Sequence, residues 1–299
     1  MKVGVLMGGI SSEREVSLSS GNSIIQHINK EKYEVVPVII DSKEDVLEKV
    51  KGLDFALLAL HGKFGEDGKV QAVLETLGVP YSGCDTLSSS LCMDKDLTKS
   101  VLKAKGIRTA RWINVSSVQE IDYNAIEEMG YPVFIKPTNG GSSVATFKIT
   151  KKEDVEAAVV EGLKWDREVM IEEFIKGDEI TCPVFENELF PVLAIKAKTD
   201  FYDYEQKYSA NGAEHYAIDL EPKVYEEVKK MALETYKALK CSVYSRIDMI
   251  ITEDGVPYVL EVNTLPGMTS TSLFPQSAGE KGISYTEFID MIIEHSLKK

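Results

Sequence analysis

The amino-acid sequence predicts an α/β fold that opens with a parallel sheet and continues as α+β units. Three observations support this class. Residues 1–86 alternate short apolar runs with helical patterns, and this βαβαβ rhythm is typical of a parallel sheet covered by helices. Beyond residue 87 strands and helices no longer alternate regularly. Towards the end, Asp254-Gly255 lies between two alternating apolar runs, which is the strongest short signal for an antiparallel hairpin.

The first part of the chain supplies the parallel sheet. The patterns predict strands over 2–7, 33–40 and 55–60, and helices over 13–29 and 46–51. Ser12 with Glu15 three positions later predicts a capping box at the start of the first helix. Ligands of such sheets bind at the carboxyl ends of strands. The loops 8–13 and 61–68 follow the first and third strands, so they are the first places to look for a site.

The rest of the chain divides into two further units. The patterns predict, in order, helices over 94–106 and 118–130, a strand over 131–137, a Gly/Ser loop over 138–143, a strand over 144–150, a helix over 154–165, a strand over 168–174, an aromatic and charged loop over 199–214, a helix over 222–239, the hairpin over 246–263 and a last helix over 285–297. We therefore expect three domains, with bounds 1–86, 87–175 and 176–299.

Composition narrows the classes of partner. The 299 residues contain 34 Lys and Arg against 48 Asp and Glu, a net charge of −14, and no clustered basic run. Because nucleic-acid binding depends on such clusters, we expect no nucleic-acid partner. No apolar run reaches the roughly 18 residues of a membrane span, and the start does not have the pattern of a signal peptide. A cytoplasmic protein without a membrane partner is expected.

Cysteine and histidine spacing argues against a zinc site. The four cysteines form no C-x-x-C pair, and none of the four histidines has metal-ligand spacing. Scattered cysteines of this kind predict reduced, partly buried thiols. Any metal is therefore expected to be bound by oxygen ligands.

The hairpin near the end contains the most informative group of charges. If Asp254 and Gly255 form a two-residue turn, Asp248 lies opposite Glu261 and Arg246 lies opposite Asn263. Alternation along a strand directs all four side chains to one face, together with Ile250 and Val259.

Two carboxylates directly opposite each other repel, and a divalent cation between them would remove that cost. Asp, Glu and Asn oxygens suit Mg²⁺ or Mn²⁺. The alternative is a solvated charged face on which Arg246 neutralises one acid.

Two other segments give weaker signals. The loop 138–143 after Lys136 resembles a phosphate-binding loop, but a strand follows it, so it is also compatible with an ordinary turn. Lys136 ends an apolar strand and is placed to reach an α or β phosphate. Glu13 opens the first helix, where an acid commonly does no more than complement the helix dipole.

Taken in order, the motifs of the chain resemble those of the ATP-grasp superfamily, and within it the D-alanine–D-alanine ligase family, over essentially the whole length. The matching stretches are Gly8-Gly9, 12–17, Leu60-His61-Gly62, 65–68, Met93-Asp94-Lys95, 135–137, 141–143, 201–208, 246–248 and 261–269. The resemblance implies a three-domain ATP-grasp architecture with an N-terminal parallel-sheet domain. It also implies a homodimer joined through that domain.

The resemblance implies the following binding roles. ATP would lie between the second and third domains, with Lys95, Lys136 and Ser142 at its phosphates and Glu172, Glu173, Phe174, Ile175 and Glu179 at its adenine and ribose. Asp248, Glu261 and Asn263 would bind two Mg²⁺ or Mn²⁺ ions, in agreement with the hairpin geometry.

The substrate roles follow in the same way. Glu13, hydrogen-bonded with Ser142 and Tyr208, would bind the ammonium of a first D-alanine, and His61 would lie nearby. Lys207 and Ser272 would bind the carboxylate of a second D-alanine. Arg246 and the backbone N–H of Gly267 would stabilise the tetrahedral oxyanion.

The implied reaction is ATP-dependent joining of two D-alanines through an acyl phosphate, for peptidoglycan synthesis. Tyr208 stands where D-lactate-using relatives commonly have His, which favours an amine nucleophile. Ser245 and Ala145 replace glycines common in the family, so we expect altered loop mobility or affinity with the chemistry retained. The alternatives are an ATP-grasp ligase with another acceptor, D-lactate included, and a non-catalytic nucleotide-binding regulator. A metal-dependent phosphohydrolase is disfavoured because the hairpin offers no base to activate water.

Overall fold

The computed structural model describes residues 1–141, 144–196 and 214–299. The strands are β1 (Lys2–Gly8), β2 (Glu34–Ile40), β3 (Phe55–Leu58), β4 (Trp112–Val115), β5 (Val133–Pro137), β6 (Phe147–Ile149), β7 (Val169–Glu173), β8 (Asp178–Phe185), β9 (Glu188–Leu189), β10 (Leu193–Lys196), β11 (Glu214–Ala217), β12 (Tyr244–Ile251) and β13 (Pro257–Asn263). The helices are α1 (Arg14–His27), α2 (Glu44–Lys49), α3 (Lys69–Leu77), α4 (Thr86–Met93), α5 (Lys95–Ala104), α6 (Tyr123–Met129), α7 (Val155–Gly162), α8 (Pro222–Ala238), α9 (Leu273–Glu280) and α10 (Tyr285–Ser296).

The first sheet is parallel, as predicted, with strand order β2-β1-β3. β1 is central and buried beyond its first residue because apolar side chains leave both of its faces. The three strands and two helices predicted for this region are present within a few residues of their predicted bounds. α3 and α4 were not predicted.

The second sheet has four antiparallel strands in the order β4-β7-β5-β6. The helix predicted over 118–130 is present only in its second part, as α6. A short 3₁₀ turn at Val118–Glu120 precedes α6, because the Asp122 carboxylate accepts hydrogen bonds from the backbone N–H groups of Asn124 and Ala125 and begins a new helix there. The strand predicted over 144–150 is shortened to β6, and Ala145, at φ 54°, lies in a turn before it.

The third sheet has six strands and holds the predicted hairpin. Its order is β11-β10-β8-β12-β13, and β9 pairs with β8. α8 covers one face, and its buried residues, among them Val228 and Ala232, pack with Ile247 and Met249 of β12. The strands β8 to β11 lie in a stretch for which the sequence patterns predicted no elements.

The hydrophobic cores of the second and third sheets indicate where these two sheets pack together. Leu102 of α5 and Ile107 pack with the third sheet, whereas the core of the second sheet is formed by residues of the range 115–171. α5 therefore lies where the second and third sheets meet. No helix in the described ranges is long and apolar enough to cross a membrane. All four cysteines are buried free thiols, as predicted.

Candidate active site

A cleft of about 990 Å³ brings together residues from all three parts of the chain. It is lined by ten of the predicted site residues: Glu13, His61, Lys95, Glu179, Arg246, Asp248, Glu261, Asn263, Gly267 and Ser272. These residues are up to 259 positions apart, so only the fold places them together. The cleft is large enough for more than one small ligand, since pockets for drug-sized ligands occupy roughly 300–1,000 Å³.

The hairpin forms one wall of the cleft, and its predicted pairs are present. Arg246 lies opposite Asn263, and Asp248 lies opposite Glu261. The two-residue turn is wrong: β12 ends at Ile251 and β13 begins at Pro257, so five residues connect the strands. Leu260 is an unpaired bulge residue, because Asp248 pairs with Glu261 whereas the next residue, Met249, pairs with Val259.

The bulge also changes the side of the sheet to which Val259 belongs. Val259 was expected on the same face as Asp248. It pairs instead with Met249, and both side chains lie in the core with Val262. A bulge lets residues 259 and 262 face the same side, which strict alternation does not allow. The polar pairs therefore face the cleft while both valines are buried.

Asp248 is the centre of a dense hydrogen-bonded group. Its carboxylate accepts from Arg246 Nε at 3.0 Å and Nη2 at 2.7 Å, from the Thr181 hydroxyl at 2.6 Å and from Asn263 Nδ2 at 3.0 Å. Asp248 is buried, and Arg246 is the cation that compensates its charge. In this structure Arg246 neutralises one acid, as the alternative interpretation of the sequence expected.

The donor set at the hairpin nevertheless fits a hard divalent cation. Asp248 and Glu261 supply carboxylate oxygens on adjacent strands, and Asn263 supplies an amide oxygen, while Thr181 adds a hydroxyl. Mg²⁺ prefers such oxygen ligands and commonly takes one or two carboxylates. A cation at Asp248 would replace part of the contact with Arg246, which would leave that guanidinium available to another anion.

Glu13 lies at the opposite wall of the cleft. It is buried and occupies the N-cap position of α1, with no hydrogen bond from its side chain to the helix backbone. The predicted Ser12 and Glu15 capping box is therefore wrong, because the helix begins one residue later. The Glu13 carboxylate lies against Gly62 and Gly141, where an added Cβ would come within 2.5 and 3.0 Å of its Oε2 atom.

His61 connects this wall to the segment that follows β13. It is buried, and its Nδ1–H donates to the Leu265 carbonyl at 3.0 Å, which fixes the tautomer because a carbonyl only accepts. Its Nε2 then accepts from the Ser20 hydroxyl at 3.0 Å, whose oxygen accepts from the Met268 N–H at 3.3 Å. The histidine thus holds the 265–268 segment against α1.

Gly267 and Ser272 form the end of the cleft. The Ser272 hydroxyl accepts from the Thr269 N–H at 3.0 Å and lies 2.8 Å from the Thr269 hydroxyl. An added Cβ at Gly267 would lie 3.0 Å from the Ser272 hydroxyl oxygen, so a side chain there would require Ser272 to shift. Ser272 is the N-cap of α9, where backbone N–H groups favour an anion.

A second charged cluster lies at the second sheet, β4-β7-β5-β6. Lys136 of β5 and Glu172 of β7 are joined by an ion pair of 2.6 Å from Nζ to Oε2. Lys99 of α5 contacts the other oxygen, Oε1, also at 2.6 Å. Burial alone would raise the pKa of Glu172, but the Lys136 and Lys99 ammonium groups outweigh it and hold this pKa at about 2. The carboxylate is therefore ionised and shared by two cations.

The other residues that were predicted to bind the nucleotide are spread around this cluster. Lys95 donates to the Gly140 carbonyl and lines the cleft. Glu173 is bound to Arg111 at 2.7 Å, which, with backbone and side-chain hydrogen bonds from Arg111, lowers the Glu173 pKa despite partial burial. The Phe174 ring contacts Phe134 and lies 4.9 Å from the Lys148 ammonium. In the described part of the chain, Lys136 and the run 172–175 do not line the cleft, whereas Glu179 does.

Three predicted residues, Ser142, Lys207 and Tyr208, lie outside the described residues, and so does most of the loop 199–214.

Sequence reasoning missed Lys99, Thr181 and Ser20. Lys99 lies one helical turn after Lys95, and this i, i+4 spacing was the only available signal. Thr181 lies within the continuous buried run of β8, whose pattern did not suggest a site.

Two family models match the chain. One, described as "D-ala D-ala ligase C-terminus", covers residues 100–294. The other, described as "D-ala D-ala ligase N-terminus", covers residues 2–52 and 42–84.

Individual relatives match over the whole length. The D-alanine–D-alanine ligase B of Clostridium perfringens strain 13 is 71% identical over 299 residues, which is 100% of this chain and 99% of the relative. A D-alanine–D-alanine ligase of Clostridium beijerinckii is 65% identical, over 100% of this chain and 99% of its own.

Solved structures agree with this fold. The D-alanine–D-alanine ligase from Bacillus anthracis complexed with ATP superimposes with a TM-score of 0.91 at 45% identity, over 100% of this chain and 98% of the other. The VanG D-Ala:D-Ser ligase from Enterococcus faecalis gives 0.86 at 32% identity, over 99% of each chain.

Proposed function

The chain belongs to the D-alanine–D-alanine ligase family of ATP-grasp enzymes, and from this membership we infer that it joins two D-alanines into D-alanyl-D-alanine. The reaction consumes ATP, releases ADP and phosphate, and supplies the dipeptide for peptidoglycan. The observation that carries this conclusion is 71% identity to a D-alanine–D-alanine ligase over the full length of both chains. The cleft adds chemical support, because it combines a buried acid, an oxygen-rich hairpin and an arginine.

We assign the first substrate to the Glu13 wall. A buried carboxylate that lines the cleft suits the ammonium of an amino acid, because a charge-assisted hydrogen bond would compensate its burial. His61 then orients the neighbouring 265–268 segment through the Leu265 carbonyl. Ser142 and Tyr208, which lie outside the described residues, complete this group in our proposal.

We assign the second substrate to the other end of the cleft. The hydroxyl of Ser272 and the N-terminus of α9 suit a carboxylate. Lys207, outside the described residues, is proposed as its cationic partner. The amine of this D-alanine would then point toward the acyl group of the first.

ATP is proposed to bind where the second and third sheets meet. Lys95, Lys136 and Ser142 face its phosphates in this proposal, and Glu172, Glu173, Phe174, Ile175 and Glu179 surround its base and ribose. Asp248, Glu261 and Asn263 would hold two Mg²⁺ or Mn²⁺ ions, whose chemistry is to neutralise phosphate charge during phosphoryl transfer. Support comes from the oxygen donors of the hairpin and from the ATP complex of the Bacillus anthracis relative.

The mechanism follows from these positions. The carboxylate of the first D-alanine attacks the γ-phosphate, which forms an acyl phosphate and releases ADP. The neutral amine of the second D-alanine attacks the acyl carbon; the C–N bond forms, the C–O bond to phosphate breaks, and the proton lost by the amine leaves with the phosphate. Arg246 and the Gly267 N–H stabilise the negative charge of the tetrahedral intermediate, as fixed donors do in oxyanion holes. Lysine and arginine side chains do most of this work through position and charge.

Location and assembly are part of the proposal. A cytoplasmic enzyme has access to ATP and to free D-alanine. A homodimer joined through the first domain would cover side chains of that domain that are exposed in the monomer, such as Ile39, Leu47 and Leu77. Light scattering at micromolar concentration would report twice the mass of 33.2 kDa.

A coupled ADP assay tests the function. We expect D-alanine to stimulate ADP release in the presence of Mg²⁺ and not after chelation, with D-alanyl-D-alanine as product. L-alanine, D-lactate and D-serine are offered as second substrates beside D-alanine. If ATP binds but D-alanine never stimulates ADP release, the chain is a nucleotide-binding regulator.

A second candidate function differs only in the second substrate, because one structural relative at 32% identity is a D-Ala:D-Ser ligase. Preferential use of D-serine or D-lactate at neutral pH would replace the assignment of the second D-alanine and leave the ATP-dependent first step intact.

A further inference from the structure

Lys99 is a buried lysine that the proposed reaction does not use. Its side chain is 2% exposed, although a lysine ammonium is rarely removed from water without a paired charge. Thr98 and Leu102 are also buried, so this face of α5 packs inside the protein while Lys103, one turn further, is exposed. A lysine buried in this way needs partners that compensate its charge.

Three groups surround the Lys99 ammonium. It donates hydrogen bonds to the Thr109 hydroxyl at 2.6 Å and to the Ala110 carbonyl at 3.0 Å, and it forms an ion pair with Glu172 Oε1 at 2.6 Å. These three contacts hold the ammonium beside the Glu172 carboxylate. Burial lowers the Lys99 pKa, and the nearby Glu172 charge opposes that shift.

These contacts join the two sheets between which ATP is proposed to bind. Glu172 belongs to β7 of the second sheet. Thr109 donates its hydroxyl proton to the Val259 carbonyl at 2.8 Å, and Val259 belongs to β13, the strand that carries Glu261. Lys99 therefore connects the carboxylate beside Lys136 to the hairpin that holds the proposed metal ligands.

The ion pair between Lys99 and Glu172 also determines the net charge around Lys136. With Lys99 present, two ammonium groups share one carboxylate, so the cluster has one excess positive charge. Without Lys99, Glu172 and Lys136 would neutralise each other, and the carboxylate would be free to rotate about a single partner. Both changes weaken the attraction for a polyanion.

We propose that Lys99 is a positioning residue for ATP: it fixes the Glu172 carboxylate on one oxygen so that the other oxygen orients the Lys136 ammonium toward the nucleotide. This inference rests on the proposed function for the identity of the nucleotide. It does not require Lys99 to touch ATP.

The test compares Lys99→Met with Lys103→Met. Methionine keeps the length of the side chain and removes the charge, and Lys103 is the matched control because it lies on the same helix and near the same Trp112 ring, at 5.7 Å. We expect Lys99→Met to raise the KM for ATP by about 10- to 100-fold, the range that misplacement of a binding group produces, and to change the KM for D-alanine less than about twofold. Lys103→Met should leave both values unchanged.

Direct binding separates this inference from the proposed function. Titration with a non-hydrolysable ATP analogue, without D-alanine, should give a dissociation constant that rises by the same factor in Lys99→Met. A wild-type protein without D-alanine-dependent ADP release would refute the ligase function and leave this titration valid. A folded Lys99→Met protein whose ATP affinity is within twofold of wild type would overturn the role of Lys99, and so would an equal rise in both KM values.

A milder variant decides the question if Lys99→Met does not fold. Thr109→Val removes one acceptor of the Lys99 ammonium and keeps the charge. Loss of one such hydrogen bond should weaken ATP binding by about 2- to 10-fold. An unchanged affinity in Thr109→Val would count against the proposal.

Discussion

Two charge clusters of this protein are opposite in sign, and they differ in burial: only Asp248 of the hairpin cluster is buried, whereas all three residues of the lysine cluster are. The hairpin cluster consists of Arg246, Asp248, Glu261 and Asn263, and its two carboxylates exceed its single guanidinium by one negative charge. The lysine cluster consists of Lys99, Lys136 and Glu172, and its two ammonium groups exceed its single carboxylate by one positive charge. In the proposed function, a metal ion would add a cation to the first cluster and the phosphates of ATP would add an anion to the second.

The clusters also differ in how the chain builds them. The hairpin cluster spans residues 246–263 and follows from strand alternation and pairing. The lysine cluster joins residues of α5, β5 and β7. Lys136 is 36 positions from Glu172 in the sequence, and Lys99 is 73 positions from it. Local pairing is visible in a sequence, whereas a contact between separate elements depends on packing of the whole domain.

The largest effect is expected from Glu172→Gln. It leaves two buried ammonium groups without a carboxylate, and breaking a buried pair typically costs about 3–5 kcal/mol. Urea unfolding should show this loss in the free energy of unfolding. Glu173→Gln is the matched control, because Glu173 is the next residue and its partner Arg111 is exposed. It should cost less than about 1 kcal/mol. Equal losses would remove the distinction between the buried cluster and the exposed pair.

Arg246→Ala tests the hairpin cluster through catalysis. Loss of one donor to an oxyanion typically lowers the rate by about 10²- to 10³-fold, so ADP release at saturating substrates should fall by this factor. Asp248 keeps hydrogen bonds from Thr181 and Asn263, so the variant should remain folded by circular dichroism. A folded variant that retained most of its turnover would disprove the role given to Arg246.

We expect the lysine cluster to make the free energy of unfolding depend on pH in the acid range. The Glu172 pKa is held at about 2 in the folded protein, below its ordinary value of 4.5, by Lys136 and Lys99 against the opposing effect of burial. A depressed folded pKa contributes stability above the unfolded pKa, and that contribution is lost as the pH falls from about 4.5 toward 2. Unfolding free energies measured across this window should decline less steeply in Glu172→Gln. An identical slope would show that other groups control acid unfolding.

Glu261→Gln should give the smallest and most specific effect. Removing one of two facing carboxylates should change stability without metal by only about 0.2–1 kcal/mol, in the stabilising direction if their repulsion dominates. We expect Mg²⁺ to raise the melting temperature of the wild type, and this rise should be largely lost in the variant. An undiminished Mg²⁺ effect in the variant would show that the ion binds elsewhere.

Features that depend on local strand pairing could be predicted from the sequence, whereas contacts between separate elements could not. The parallel first sheet and the facing pairs Arg246–Asn263 and Asp248–Glu261 were predicted because alternation and turn signals act over short distances. The turn itself was wrong, and the pairs were correct only because the bulge at Leu260 compensates for the longer connection.

Other features required the three-dimensional structure. The Ser12 and Glu15 capping box failed because α1 begins at Arg14 with Glu13 as its N-cap. The hydroxyl at this end belongs to Ser11, which accepts from the Glu13 N–H at 3.2 Å and donates to the His61 carbonyl. Lys99 was missed because a helical pattern identifies a buried face but does not show that a charged residue on that face has found a partner. The proposed roles of the predicted site residues remain predictions, although ten of them line one cleft.

The bulge at Leu260 has a consequence for how this hairpin tolerates change in length. Pairing on the cleft side of the bulge involves residues 246–248 and 261–263, and pairing on the far side involves residues 249–251 and 257–259. Deleting Leu260 would join the two ladders into one regular ladder without exchanging any partner. The tip at residues 252–256 and the pairs of residues 246–248 with 261–263 are therefore separate modules, and a protein engineer could graft a new tip onto this hairpin while the pairs that face the cleft stay in register.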